Sequence, residues 1–186
     1  MVIIRPAGHR SKDREYLKGV LMMSNIKNKA TLHEDKIELA RSCIEHRATW
    51  MALTYAEMEK AGVDAEKITR AAVRKCGNIH GLRFREQCKN PDDLVEFAGI
   101  FLTEDGRKNF EMNVHDVDHD NIKSDFHYCP LVSAWQKLGL DDDTIALFCD
   151  IAMDGDRGIA ESMRITLDLG DTIAKGCDTC KLHFHK

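Results

Sequence analysis

Near Gly106 the spacing of apolar residues changes from helical to extended, and this change limits the folds open to the chain. From about His33 to Ala61, apolar residues recur at Ile37, Ala40, Ile44, Met51, Tyr55 and Met58. Steps of three, four and seven trace one face of a helix. Gly62 ends it, and Asp64 suits the N-cap of a second helix through Ile68, Ala72 and Cys76. Gly77 is expected to close that helix, with Asn78-Ile79-His80-Gly81 as a loop. Asn90-Pro91-Asp92-Asp93 predicts another helix start, with Asn90 as cap, followed by an apolar stripe at Leu94, Phe97, Ile100 and Phe101.

Beyond Gly106 the period is two. Phe110, Met112 and Val114 alternate with polar residues, and Ile122, Ser124 and Phe126 alternate with Lys123, Asp125 and His127. A polar turn at 116–120 predicts a hairpin. Pro130 opens a short helix closed by Gly139, and Asp141 caps another that carries Ile145, Leu147, Phe148 and Ile151. Two further segments, 164–169 and 180–185, alternate again. The expectation is an α+β fold. An N-terminal helical layer packs on a C-terminal antiparallel sheet of about four strands with two intervening helices. The chain reads as one domain over 1–186, helical over about 1–105 and sheet-containing over about 106–186.

The chain has 27 basic and 31 acidic residues and a formal net charge of -4. It lacks the clustered Lys and Arg of a nucleic-acid footprint. No apolar run approaches the ~20 residues of a membrane span. Arg5, Pro6 and Arg10 interrupt Met1–Arg10 where a signal peptide needs an apolar core, so a cytoplasmic location is expected. There the seven cysteines read as thiols or ligands, not as a disulfide framework. The large apolar faces of the helical half admit a homodimer.

The second half holds the candidate chemistry. Cys129 precedes Pro130, and a cysteine at a helix N-terminus has its thiolate stabilised by unpaired amides and the macrodipole. If the preceding stretch is extended, Asp125, His127 and Cys129 point to one side, a Cys-His-Asp arrangement for nucleophilic attack. Against this stands a buried cysteine at a strand end with His127 solvated. Cys149 reads first as core. Asp154-Gly155-Asp156-Arg157 reads either as an acid cluster poorly placed at a helix end or as a salt-bridged turn. The tail Cys177-x2-Cys180-x2-His183-x-His185 resembles a zinc half-site. In a strand, however, Cys180 faces with Leu182 and Phe184, opposite to His183 and His185. Cys180 is therefore expected to point inward with Cys129. A divalent metal such as zinc, held by Cys129, Cys149, Cys180 and His183, is the competing use of these residues. Arg47 interrupts the apolar face of the first helix and, if buried, needs a carboxylate partner.

Several runs together resemble a family. They are Glu45-His46-Arg47-Ala48-Thr49-Trp50 through Tyr55, Arg74-Lys75-Cys76-Gly77 with His80-Gly81, His127-Tyr128-Cys129-Pro130-Leu131-Val132 with Trp135 and Leu138-Gly139, Cys149-Asp150-Ile151-Ala152-Met153 with Gly155-Asp156-Arg157-Gly158, and Cys180-x-x-His183-Phe184. In that order they resemble the L-2-amino-thiazoline-4-carboxylic acid hydrolase family from about residue 35 onward. The resemblance implies a small-molecule hydrolase that attacks a cyclic C=N bond and opens a thiazoline ring to N-carbamoyl-L-cysteine. The match marks positions, not roles; the chemistry of the residues there offers Cys129 as nucleophile or metal ligand, with Cys180 beside it. The same reading offers His127 or Asp154 for proton transfer, and Arg157 or Arg47 as anchor for a substrate carboxylate. The alternative from the same cysteines is a non-catalytic small-ligand or metal sensor.

Overall fold

A computed structural model describes residues 24–186. The Met1–Arg10 segment lies outside the described residues. Two long helices, α1 (Asp35–Lys60) and α2 (Ala65–Gln87), lead into the short α3 (Leu94–Phe101) and α4 (Glu104–Phe110). A hairpin follows, β1 (Met112–Val117) and β2 (Asn121–Phe126). Then come α5 (Pro130–Lys137), α6 (Asp142–Ala152), α7 (Asp154–Met163), β3 (Thr166–Leu169), a 3-10 turn (Ile173–Lys175) and β4 (Cys180–His185). The sheet is antiparallel in the order β1-β2-β4-β3. The fold is α+β, with most helix before the strands. Among the described residues, no helix is long and apolar enough to cross a membrane.

The inner face of the sheet carries Ile122, Ser124, Cys180, Leu182 and Phe184, all buried. Phe97 and Phe101 of α3 meet Phe184 edge-on, with ring centroids 5.8 and 5.5 Å away. Trp135 of α5 is fully buried and donates its indole N–H to the Ala48 carbonyl of α1 at 3.1 Å. A buried indole needs such a partner, and here the bond also fixes α5 against α1.

Several local expectations shift. Gly77 does not cap α2, which runs ten residues further with 78–81 inside it. A Cβ on Gly77 would overlap the Gly155 carbonyl oxygen, and one on Gly158 would overlap the Arg74 carbonyl oxygen. These glycines let α2 and α7 cross with backbones in contact, which no local signal distinguishes from a helix stop. The cap of α3 is Asp93, which accepts from the Val95 amide; Asn90 and Pro91 form the preceding turn. Phe110 closes α4 instead of opening β1. Three helices, not two, separate β2 from β3, because Asp154 starts a helix of its own.

The buried arginine of α1 is Arg41, not Arg47, which is exposed. Arg41 donates to the carbonyls of Leu32 (2.7 Å), Lys108 (3.0 Å) and Asn109 (3.1 Å). It also donates to Glu111 Oε1 at 2.9 Å and lies over the Tyr128 ring, 4.5 Å from its centroid. Burial alone would raise the Glu111 carboxyl, but the amides of Leu32 and Thr31, the Thr31 hydroxyl and Arg41 together hold it below the usual range. Glu111 itself takes a left-handed backbone (φ 48°) to end α4. One guanidinium with four hydrogen bonds thus pins α1 to the α4–β1 junction.

Candidate active site

Cys129 is the N-cap of α5, and its position follows from the local sequence. β2 ends at Phe126, Pro130 takes the first helical position, and the residue between must stay extended (Cys129 φ -132°, ψ 111°). Asn28 holds it from both sides: Oδ1 accepts from the Cys129 amide at 2.8 Å and Nδ2 donates to its carbonyl at 2.9 Å. The sulfur makes no capping hydrogen bond. Burial pushes the thiol up to about 11, against the opposing pull of the Val132 and Leu131 amides and of the Arg47 charge; Asp156 adds to the rise.

Two more thiols share this interior. Cys180 is the first residue of β4 and faces inward; Cys149 lies on the buried face of α6. Burial pushes Cys180 up to about 12, with Cys129 adding to the rise, while the Ile173 amide donates to its sulfur at 3.2 Å and opposes it. Burial also raises Cys149, and both other thiols contribute. All three rest as neutral thiols at physiological pH.

Asp156 is the charged partner that sequence reasoning passed over. It sits in the first turn of α7, half-buried as a residue. Burial of its carboxyl pushes its pKa up to about 6, although Arg47, its own amide and Arg157 all favour the charged form. Arg47 therefore lies within electrostatic range of both Cys129 and Asp156. The signal available in the sequence was the pair Asp154 and Asp156 two residues apart. Which of them faces the thiols is set by how α7 rolls against α2.

Asp154 faces the other way, into arginines. Its carboxylate accepts from Arg70 at 3.0 Å, Arg157 at 3.2 Å and Arg74 at 3.5 Å. Arg157 also donates to Asp150, at 2.7 Å to the side chain and 3.0 Å to the carbonyl. Burial works against the Arg157 charge, yet Asp150 and Asp154 outweigh it and raise its pKa. Both residues are committed to holding α2, α6 and α7 together. The acids also sit at the start of α7, where the helix dipole favours negative charge, rather than at an unfavourable helix end.

His127 is exposed and its Nε2 lies 3.0 Å from Asn113 Nδ2, while Asp125 pairs with His115 at 3.1 Å. The Cys-His-Asp alignment along the strand does not form, because β2 ends one residue before His127. His183 lies on the face of β4 opposite to Cys180. The set Cys129, Cys149, Cys180 and His183 therefore does not converge. Among the described residues, the groups whose ligand atoms gather within 4.8 Å of one another are Asp168, His183 and His185.

The arrangement joins a soft nucleophile at a helix N-terminus, a carboxyl that titrates near neutrality and a guanidinium. Such a set can bind a small zwitterion and move protons beside an electrophilic carbon. The model of a known family, L-2-amino-thiazoline-4-carboxylic acid hydrolase, matches residues 41–184 and takes in Arg47, Cys129, Cys149, Asp156 and Cys180. No curated protein and no solved structure matches. On a match over most of its length, this chain belongs to the L-2-amino-thiazoline-4-carboxylic acid hydrolase family.

Proposed function

We propose that the protein hydrolyses a small cyclic amidine of the 2-aminothiazoline-4-carboxylate class, with Cys129 as nucleophile and Asp156 as proton carrier. The observation that carries this is that Asp156 and the exposed Arg47 both lie within electrostatic range of the buried Cys129. A thiazoline carboxylate is cationic at its amidine and anionic at its carboxylate. Asp156 complements the first and Arg47 the second.

Because Cys129 rests as a neutral thiol, its proton leaves as the bond to carbon forms. The sulfur adds to the ring carbon between nitrogen and sulfur, across the C=N bond, while Asp156 takes the thiol proton. The ring C–S bond then breaks, and the departing sulfur takes the proton from Asp156. This leaves an isothiourea on Cys129. Water adds to the same carbon, giving a proton to Asp156. The Cys129 C–S bond breaks and the thiol is re-formed. The net change is one water added and one ring C–S bond opened, with N-carbamoyl-L-cysteine as product. The incoming amidinium favours loss of the thiol proton by placing positive charge beside the sulfur.

The test is ring opening by the full chain, followed by mass spectrometry as a gain of one water. Wild type is expected to turn over the thiazoline carboxylate and to yield a mass adduct on Cys129 when quenched early. Cys129→Ala is expected to lose turnover by on the order of a thousandfold or more while remaining folded. Full activity in that variant excludes the covalent route, and no turnover by wild type excludes this substrate class.

A further inference from the structure

The outer face of β4 carries a second cluster, separate from the thiol interior. Alternation along the strand buries Cys180, Leu182 and Phe184 and turns His183 and His185 outward. In the antiparallel register, Asp168 of the edge strand β3 lies directly opposite His183, with His185 on the diagonal. The ligand atoms of the three residues lie within 4.8 Å of one another, and the two imidazole centroids are 4.6 Å apart.

The hydrogen bonds around His185 point to a cation. Its Nδ1 lies 2.8 Å from the Lys186 backbone oxygen, and its Nε2 lies 3.0 Å from Asp168 Oδ2. Both ring nitrogens face acceptors, but a neutral imidazole has one N–H. With Nδ1–H donating to the Lys186 oxygen, the Nε2 lone pair and the Asp168 carboxylate can share a cation. That pattern is the usual one for a ligating histidine, whose other nitrogen is oriented by a main-chain oxygen. His183 is oriented similarly: its Nε2 lies 2.8 Å from Asn121 Oδ1, so donation there leaves the lone pair on Nδ1. Lys123, opposite His183 on β2, is drawn 3.4 Å from Asp116 instead.

We propose that Asp168, His183 and His185 form a binding site for one divalent transition-metal ion of the zinc class, which ties edge strand β3 to β4. Two imidazoles and a carboxylate suit such an ion, and three protein ligands leave a position for water. The side chains are accessible for loading, with relative exposures of 67% for Asp168 and 27% for His185.

Cobalt(II) is the probe that separates this site from the seven thiols. Titrated into the reduced full-length chain, it is expected to bind at one equivalent with weak visible bands and without the intense near-ultraviolet thiolate-to-cobalt transition. Zinc is expected to displace it and to raise the melting temperature. His183→Ala, His185→Gln and Asp168→Asn are each expected to lose both effects, while Cys129→Ala and Cys180→Ala keep them. Circular dichroism of the metal-free variants confirms folding, and Asp168→Asn, the closest in shape, serves if a histidine variant fails. The proposal is overturned by absence of binding in the micromolar range. Binding that survives the histidine variants, or a thiolate transition lost in the cysteine variants, overturns it equally. Because ring opening is not the readout, its outcome is independent of the hydrolase reading.

Discussion

Asp154 and Asp156 stand in the same turn of α7 and meet opposite surroundings. Asp154 is enclosed by Arg70, Arg74 and Arg157 and links α7 to α2. Asp156 lies within electrostatic range of Cys129, and burial holds its carboxyl at about 6. The same side chain becomes a structural ion or a titrating acid according to whether its charge is matched. An acid with three guanidinium partners is fixed in place by its ion pairs. An acid held half-buried with only distant positive charge costs stability, and it gains a pKa suited to acid–base chemistry near neutrality.

The sharpest way to break this comparison is to remove each acid in turn. Asp156→Asn is expected to lower kcat/KM for ring opening by about 10²–10⁴-fold while leaving the fold intact. A variant that keeps its activity removes Asp156 from the chemistry. Next in size is the crossing that seats both acids. Gly77→Ala is expected to cost about 3 kcal/mol in urea unfolding, because the added methyl meets backbone that cannot move aside. A cost near zero would mean that α2 and α7 separate easily. Asp154→Asn is expected to cost about 2–3 kcal/mol, less than a fully buried pair because its arginines keep Asp150, Glu66 and Glu161 as partners. The folded variant is expected to retain most of its turnover.

The smallest effect is the pH dependence of stability. The Asp156 carboxyl is raised in the folded protein, so the folded state holds its proton more tightly than the unfolded chain does. Its contribution is most favourable below about pH 4 and is lost as pH rises through about 6. Relative to Asp156→Asn, wild type is expected to lose on the order of 2 kcal/mol across that window, partial exposure allowed for. Unfolding curves at several pH values read this difference directly. An opposite slope would mean that Asp156 is paired rather than buried.

Much of this could be read along the chain, and the misreadings share one cause. Pro130, Asp141 and the alternation of Cys180, Leu182 and Phe184 act locally, and each appears where its chemistry predicts. Gly77 looked like a helix stop because glycine signals one locally; its use here is a contact with Gly155, 78 positions away in sequence. The spacing of apolar residues offers Arg47 as the buried cation, yet the buried stripe of α1 runs through Ile37, Arg41, Ala48, Ala52 and Tyr55. Rotating the helix by one position exchanges the two arginines. Asp156 was passed over for the same reason, since the roll of α7 decides which acid meets the arginines. What a residue does next to its neighbours in sequence was legible. What it meets across a helix crossing was not.

The most direct measurement is a carbon-13 titration of the aspartate side-chain carboxyls in wild type and Asp156→Asn. It depends on no substrate. One aspartate resonance is expected to titrate with a midpoint near 6 and to be missing from the variant. An Asp156 resonance with its midpoint near the ordinary value of about 4 would contradict the account, because the two acids of α7 would then not differ in the way their surroundings require.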